Sequence, residues 1–267
     1  MPRRVSKPSL KERRRRARNV TVFLSCVLAL SLILFIAVLA RIPETRVVSV
    51  TSSAVTYASN TAIEGVVRDM LEGSHLFIIP RSHAFFIPTA SIKDEIKKTF
   101  PSIQSISIKR NGLREVEVVL NEETPSYLWC ASSEDSPSCF FMNSDGYVFA
   151  RAHTESTPFI RFTGNIEGDP IGQRYLSEDF QSLIKGVSGI EKIVGKTVTS
   201  VDMDEHNDIA VHFIDGSYIQ FVRASSYDAL LENISSVFSS KKVEREQALE
   251  YADFRFGNKI YVKFREE

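Results

Sequence analysis

The residues that could do chemistry in this 267-residue chain fall into a few clusters, and each can be weighed by its spacing. Asp202-Met-Asp-Glu-His-Asn-Asp208 places carboxylates at alternate positions, as a calcium loop does. Asn207 stands sixth, where such a loop needs glycine, and Phe213 stands twelfth, where it needs glutamate, so the segment predicts a solvated hairpin turn. The histidines (His75, His83, His153, His206 and His212) show no HExxH and no close metal spacing, and they are expected to serve surface or packing roles. Cys130 and Cys139 flank the polar run Ala-Ser-Ser-Glu-Asp-Ser-Pro-Ser between two aromatic, strand-like segments. In an oxidising compartment such a pair closes into a disulfide across a hairpin. A metal site would need CxxC or nearby histidines, which are absent. No GxSxG, SxxK or P-loop occurs, and no carboxylate pair stands out from the acidic background. The expectation is a protein that is not an enzyme, with no catalytic residue, no cofactor and no metal.

The elements that would position any site begin with a charge asymmetry. The 33 Lys+Arg and 33 Asp+Glu cancel over the chain, yet residues 1–19 hold nine Lys/Arg and one acid, Glu12, leaving the remainder acidic. Between the two lies Val20 to Ala40, a run without charge, Gly or Pro. As a helix it extends about 32 Å, close to the ~30 Å hydrocarbon core of a bilayer. Its Leu, Ile, Phe and Val residues favour insertion by about 4–8 kcal/mol, and Thr21, Ser25 and Ser31 subtract little because a hydroxyl can bond back to its own helix. A cleaved signal peptide has a shorter apolar region and a better cleavage site than Val38-Leu39-Ala40, so a retained anchor is expected. Cys26, inside the run, is expected to be an inert small hydrophobe. The positive-inside rule places residues 1–19 in the cytoplasm and everything after Arg41 outside it. Beside a membrane helix the arginine run reads as a topogenic, anionic-lipid-binding tail rather than a nucleic-acid arm.

Beyond the span, Arg46–Val50 alternates as a strand, and Thr61 with Glu64 forms a capping box for a helix carrying the stripe Ile63, Val66, Val67, Met70 and Leu71. Leu76–Ile79 is a short apolar run ended by Pro80. A second helix runs from about Ser91 to Phe100 and stops at Pro101. Ile103–Arg110 and Leu113–Asn121 form a hairpin at Asn111-Gly112. This order predicts a small α+β domain with two helices on one face of a three-stranded sheet, whose edge could dock a peptide. Further on, the sequence predicts strands at Tyr127–Trp129 and Phe140–Phe149, the latter turning at Asp145-Gly146. A helix follows at Ser177–Val187. A meander then runs through Val198–Met203, Asp208–Ile214 and Ser217–Val222. Another helix covers Ser226–Phe238, and a closing hairpin spans Ala252–Lys263.

Ile106-Ser-Ile-Lys-Arg110, Val116-Glu-Val-Val-Leu-Asn-Glu-Glu-Thr-Pro125 with its acid and proline at Glu122 and Pro125, Trp129 beyond them, and the closing Asp253-Phe-Arg-Phe-Gly-Asn-Lys-Ile260 follow one another behind a basic tail and a single span. In that order they resemble the FtsQ/DivIB family of bacterial cell-division proteins. The resemblance implies an α+β chain with a cytoplasmic tail at 1–19 and a transmembrane helix at 20–40. A POTRA-like β-α-α-β-β domain follows at 41–123, then a mixed, mainly antiparallel FtsQ-type β domain with flanking helices at 124–267. It implies a non-enzymatic divisome scaffold at the septal membrane that binds FtsB/FtsL-type proteins and links them to septal peptidoglycan synthesis, without nucleic acid or a small-molecule substrate. In the family the late strand receives an added β-strand from its partner, so Arg255, Phe256, Asn258, Lys259 and Tyr261 are the implied contacts. Read from the residues alone, the same segment is a satisfied terminal hairpin with Phe254 and Phe256 packed. Two other classes stay open: a POTRA-bearing assembly or translocation factor, and a membrane-anchored envelope sensor or cell-wall enzyme.

Overall fold

A computed structural model of the chain describes residues 10–39, 42–75, 79–131, 138–152, 158–239, 248–257 and 259–265. Helix α1 spans Leu10–Leu39, and its segment Arg14–Phe35 is long and apolar enough to cross a membrane. Within it Ser25 donates to the Thr21 carbonyl and Ser31 to that of Leu28, both at 2.9 Å, so these hydroxyls are satisfied without water. Residues 1–9 of the basic tail, Ala40 and Arg41 lie outside the described residues. The fold is a mixed α+β one, and the chain divides into two compact units, 1–99 with 105–121, and 100–104 with 122–267.

In the first unit a 3-10 turn at Pro43–Thr45 leads to β1 (Ser49–Ser52), α2 (Asn60–Leu71), a two-stranded ribbon of β2 (Ser74–His75) and β3 (Ile79–Pro80), α3 (Thr89–Thr99), β4 (Ile103–Asn111) and β5 (Glu115–Glu122). Residues 76–78 of the apolar run lie outside the described residues. The sheet order is β1-β5-β4, with β1 parallel to β5 in register Val50↔Val116. Ile63, Val67 and Leu71 of α2, Ile92 and Ile96 of α3, and Val116, Val118 and Leu120 of β5 are buried, the helical and alternating stripes meeting in one core. Two local readings change. The first strand starts at Ser49 rather than Arg46, because the Val47 N–H is taken by the Ser82 carbonyl and the Val48 N–H by that of Arg114. The α2 N-cap is Ser59, whose hydroxyl accepts from the Ala62 N–H. The Glu64 carboxylate turns instead to the backbone and hydroxyl of Ser52 and to Arg68, so the Thr61–Glu64 capping box does not form.

The second unit is built on a nine-stranded sheet. Its strands are β6 (Tyr127–Cys130), β7 (Cys139–Met142), β8 (Val148–Arg151), β9 (Arg161–Thr163), β10 (Val198–Met203), β11 (Asp208–Phe213), β12 (Tyr218–Val222), β13 (Leu249–Phe256) and β14 (Lys259–Phe264). They lie in the order β14-β13-β12-β11-β10-β9-β6-β7-β8. Pairing is antiparallel within the β6-β7-β8 and β10-β11-β12 meanders and the β13–β14 hairpin. It is parallel for β6–β9, β9–β10 and β12–β13. Parallel neighbours need long connections. Helix α4 (Phe180–Val194) makes the one from β9 to β10, and α5 (Asp228–Ser239) the one from β12 to β13. Register lines up Phe162, Val201, Val211, Ile219, Ala252 and Val262 as one row across six strands, all part of the core beneath the helices. Helix α4 runs past the expected end at Val187. At Gly186 and Gly189 the start of α5 and the residue before it come close: an added Cβ would stand 2.9 Å from the Tyr227 ring and 2.7 Å from Leu231. In α5, Ile234 is buried, while Leu230, Leu231 and Val237 pack on the core partly covered.

Candidate functional site: an open sheet edge

Strand β14 alternates strictly. Ile260, Val262 and Phe264 pack on the core, while Lys259, Tyr261 and Lys263 face solvent, as a period of two requires when one face is covered. It pairs with β13 through Ala252↔Val262 and Asp253↔Tyr261, and a register irregularity between Asp253 and Phe256 precedes the turn at Gly257. Asn258, the other expected turn residue and contact, lies outside the described residues. Among the described residues no strand pairs with the outer side of β14. An unpaired edge of this kind offers backbone donors and acceptors to an incoming strand.

The implied contact residues do different things here. Phe256 and Tyr261 are 55% and 51% exposed and meet edge to face with ring centroids 5.5 Å apart. Lys259 sits opposite Phe256 and is exposed. Together they make a small aromatic and cationic patch at the end of the open edge. Phe254, by contrast, is buried, so the two phenylalanines of the hairpin point to opposite faces. Arg255 is committed within the unit. Its guanidinium bonds both oxygens of Asp253 (Nε to Oδ1 3.0 Å, Nη2 to Oδ2 2.7 Å) and reaches across to Asp208 Oδ2 on β11 at 2.7 Å, while lying over the Phe256 ring. Hydrogen bonds from the Arg255 side chain, against the upward pull of burial, hold the Asp253 carboxyl below the usual carboxylate range. The same two carboxylates push the Arg255 pKa up. The arginine therefore pins the end of β13 to β11 and sets the position of Phe256.

Next to the core row, a second row crosses the opposite face of the sheet: Arg161, Ser200, His212, Tyr218, Tyr251 and Lys263. Tyr218 and Tyr251 stack with centroids 5.5 Å apart, and His212 lies 5.2 Å from Tyr218. His212 Nε2 is 3.0 Å from Asp202 Oδ2, and the Thr163 hydroxyl donates to Asp202 Oδ1. Periodicity in the sequence shows that these residues alternate with core positions. Their meeting depends on the parallel β12–β13 pairing, which no local signal encodes.

The other chemical clusters resolve as packing and turns. Asp204 Oδ1 accepts from the backbone N–H of His206 and Asp208, closing the β10–β11 turn on itself. His83 is buried against Phe86 and Phe85, and the His75 side chain and His153 lie outside the described residues. Among the described residues no group of three or more His, Cys, Asp or Glu could hold a metal. Cys130 and Cys139 pair across β6 and β7 and are joined by a disulfide. The Trp129 indole beside it donates to the Gly164 carbonyl at 2.9 Å. No protein-family model and no curated protein matches the chain.

Proposed function

We propose that the chain is a single-pass, FtsQ/DivIB-like scaffold of the cell-division machinery. Helix α1 anchors it with residues 1–19 in the cytoplasm. The first unit serves as its POTRA-like module, and β14 receives a strand from an FtsB-type partner, with an FtsL-type protein alongside, at the septum. The observation that carries this reading is the open β14 edge beside the exposed Phe256–Tyr261 pair and Lys259. Strand addition draws affinity from main-chain hydrogen bonds and specificity from alternate side chains, and this edge supplies both. Anchoring in one bilayer raises the effective concentration of membrane-bound partners, so the role needs no enzymatic step and no cofactor. The full chain in detergent or nanodiscs, mixed with FtsB/FtsL-type proteins, is expected to retain them in a pull-down, and the Phe256→Lys variant to lose them. Retention by wild type no better than background sinks the proposal.

A further inference from the structure

Outside α1, the exposed large hydrophobic residues of the first unit, among those described, are Val48 (66%), Phe85 (63%), Phe86 (49%) and Leu113 (43%). They are far apart in sequence, yet a set of hydrogen bonds gathers them at one end of the unit. The Val48 N–H donates to the Arg114 carbonyl, which joins Val48 to the β4–β5 hairpin tip carrying Leu113. The Ala84 N–H donates to the Thr45 carbonyl at 2.9 Å, which joins the Phe85–Phe86 loop to the segment just after α1. Arg110 closes the set, its Nη1 donating to the Ala84 carbonyl at 2.9 Å and its guanidinium lying 5.3 Å from the centre of the Phe85 ring. Phe85, Lys109, Arg110, Gly112 and Leu113 line one shallow groove there.

This end is also the one that the chain enters from the membrane-compatible helix. Thr45 follows Leu39 by six residues, so it lies at most about 21 Å from the helix end even when fully extended. The exposed charges around the patch are mainly basic (Arg81, Lys109, Arg110 and Arg114), with Glu44 and Glu72 as exposed acids and Glu115 half-covered beside the hairpin tip. Exposed aromatic rings rimmed by cations, held within a short tether of a membrane span, are what an interfacial surface requires: rings settle at headgroup depth and bases attract anionic lipid. We infer that this end of the first unit is a membrane-docking face, which seats Phe85, Phe86, Val48 and Leu113 in the headgroup layer of the anionic phospholipid bilayer that α1 crosses. The inference rests on α1 being a membrane span, but not on any division partner. Docking fixes the first unit against the bilayer instead of leaving it to swing on its tether.

Nitroxide labels on the full chain in phosphatidylglycerol-containing nanodiscs test this, with Cys26→Ser as background and single cysteines at Phe85→Cys, Leu113→Cys, Lys98→Cys and Leu28→Cys. Lys98 is exposed at the end of α3, next to the start of β4 and so opposite the hairpin tip. Labels at 85 and 113 are expected to collide preferentially with oxygen, as the label at 28 does, and the label at 98 with a water-soluble nickel chelate. The pair Lys109→Gln and Arg114→Gln is expected to lower the docking constant by about 30-fold, each base near an anionic surface being worth roughly fivefold. If 85 and 113 are as open to the chelate as 98 while 28 stays in lipid, the docking face is overturned and the anchor stands. If 28 is also open to the chelate, the anchor fails and the docking face with it.

Discussion

At one edge of the nine-stranded sheet, β8 presents buried Val148, Phe149 and Ala150. The main chain of a neighbouring loop covers it: the Val148 N–H donates to the Gln173 carbonyl, and the Gly172 N–H to the Val148 carbonyl. At the other edge, β14 alternates exposed and half-covered residues, and no described strand lies beyond it. One sheet thus has one edge sealed by its own chain and one left open, where a long unpaired edge is usually a liability. The sealed edge lies next to the disulfide between β6 and β7, and the open edge next to the Arg255 clamp. If the proposed pairing holds, the covalent staple serves the first and partner pairing the second, a division that substitutions can test.

The largest effect on stability is expected from the double substitution Cys130→Ser and Cys139→Ser near the sealed edge. Loop-closure entropy for a bridge over nine residues of separation is worth about 2–3 kcal/mol. The readout is urea denaturation followed by Trp129, the sole tryptophan of the chain, which is buried in this unit. The midpoint should fall while the folded protein still binds the proposed FtsB-type partner; loss of binding without loss of stability would break the comparison. Next in size, Arg255→Met should destabilise the unit by roughly 1.5–3 kcal/mol, because it leaves the buried Asp253 carboxylate without its charged partner. Tyr261→Ala, at the open edge itself, should cost the fold about 0.5 kcal/mol. The proposed strand pairing with an FtsB-type partner should weaken by about tenfold, or 1.4 kcal/mol, measured by titration against the labelled partner. Equal loss of stability from Tyr261→Ala would mean that β14 is an ordinary packed strand.

Much of this arrangement was legible in the sequence, and the misses have physical causes. Alternation from Val198 to Val222 marks three strands, and their core positions Val201, Val211 and Ile219 do fall in one row. Which strand ends the sheet is a matter of topology: α5 carries the chain from β12 to a parallel β13, and that step leaves β14 outermost. Arg255 was legible as part of the closing segment, but its partner Asp208 lies 47 residues away and is set by sheet register. The use of Gly186 and Gly189, the close passage of Tyr227 and Leu231, has no local signal, because it belongs to a segment some forty residues on. Thr61 and Glu64 had capping-box spacing, yet Ser59 stood two residues earlier, and Ser52 on β1 competed for the Glu64 carboxylate.

The smallest expected effect tests the open edge through pH. Arg255 holds the folded Asp253 pKa below its ordinary value, so the folded state binds a proton there less readily than the unfolded chain does. The resulting stabilisation is fully present above the unfolded carboxylate value of about 4, and it is lost as pH falls through 4 toward the depressed folded value. In Arg255→Met the side-chain share of that depression is gone, leaving the backbone N–H at 255 to favour the carboxylate and burial to favour the neutral acid. Wild type and variant should therefore differ most in urea midpoint at pH 6 and converge as the pH is lowered below 4, with Trp129 again reporting. Cys130→Ser with Cys139→Ser removes no titrating pair, so its deficit should stay nearly constant over the same range. A wild-type–Arg255→Met difference that is flat with pH would show that the clamp acts by packing over Phe256 rather than by charge.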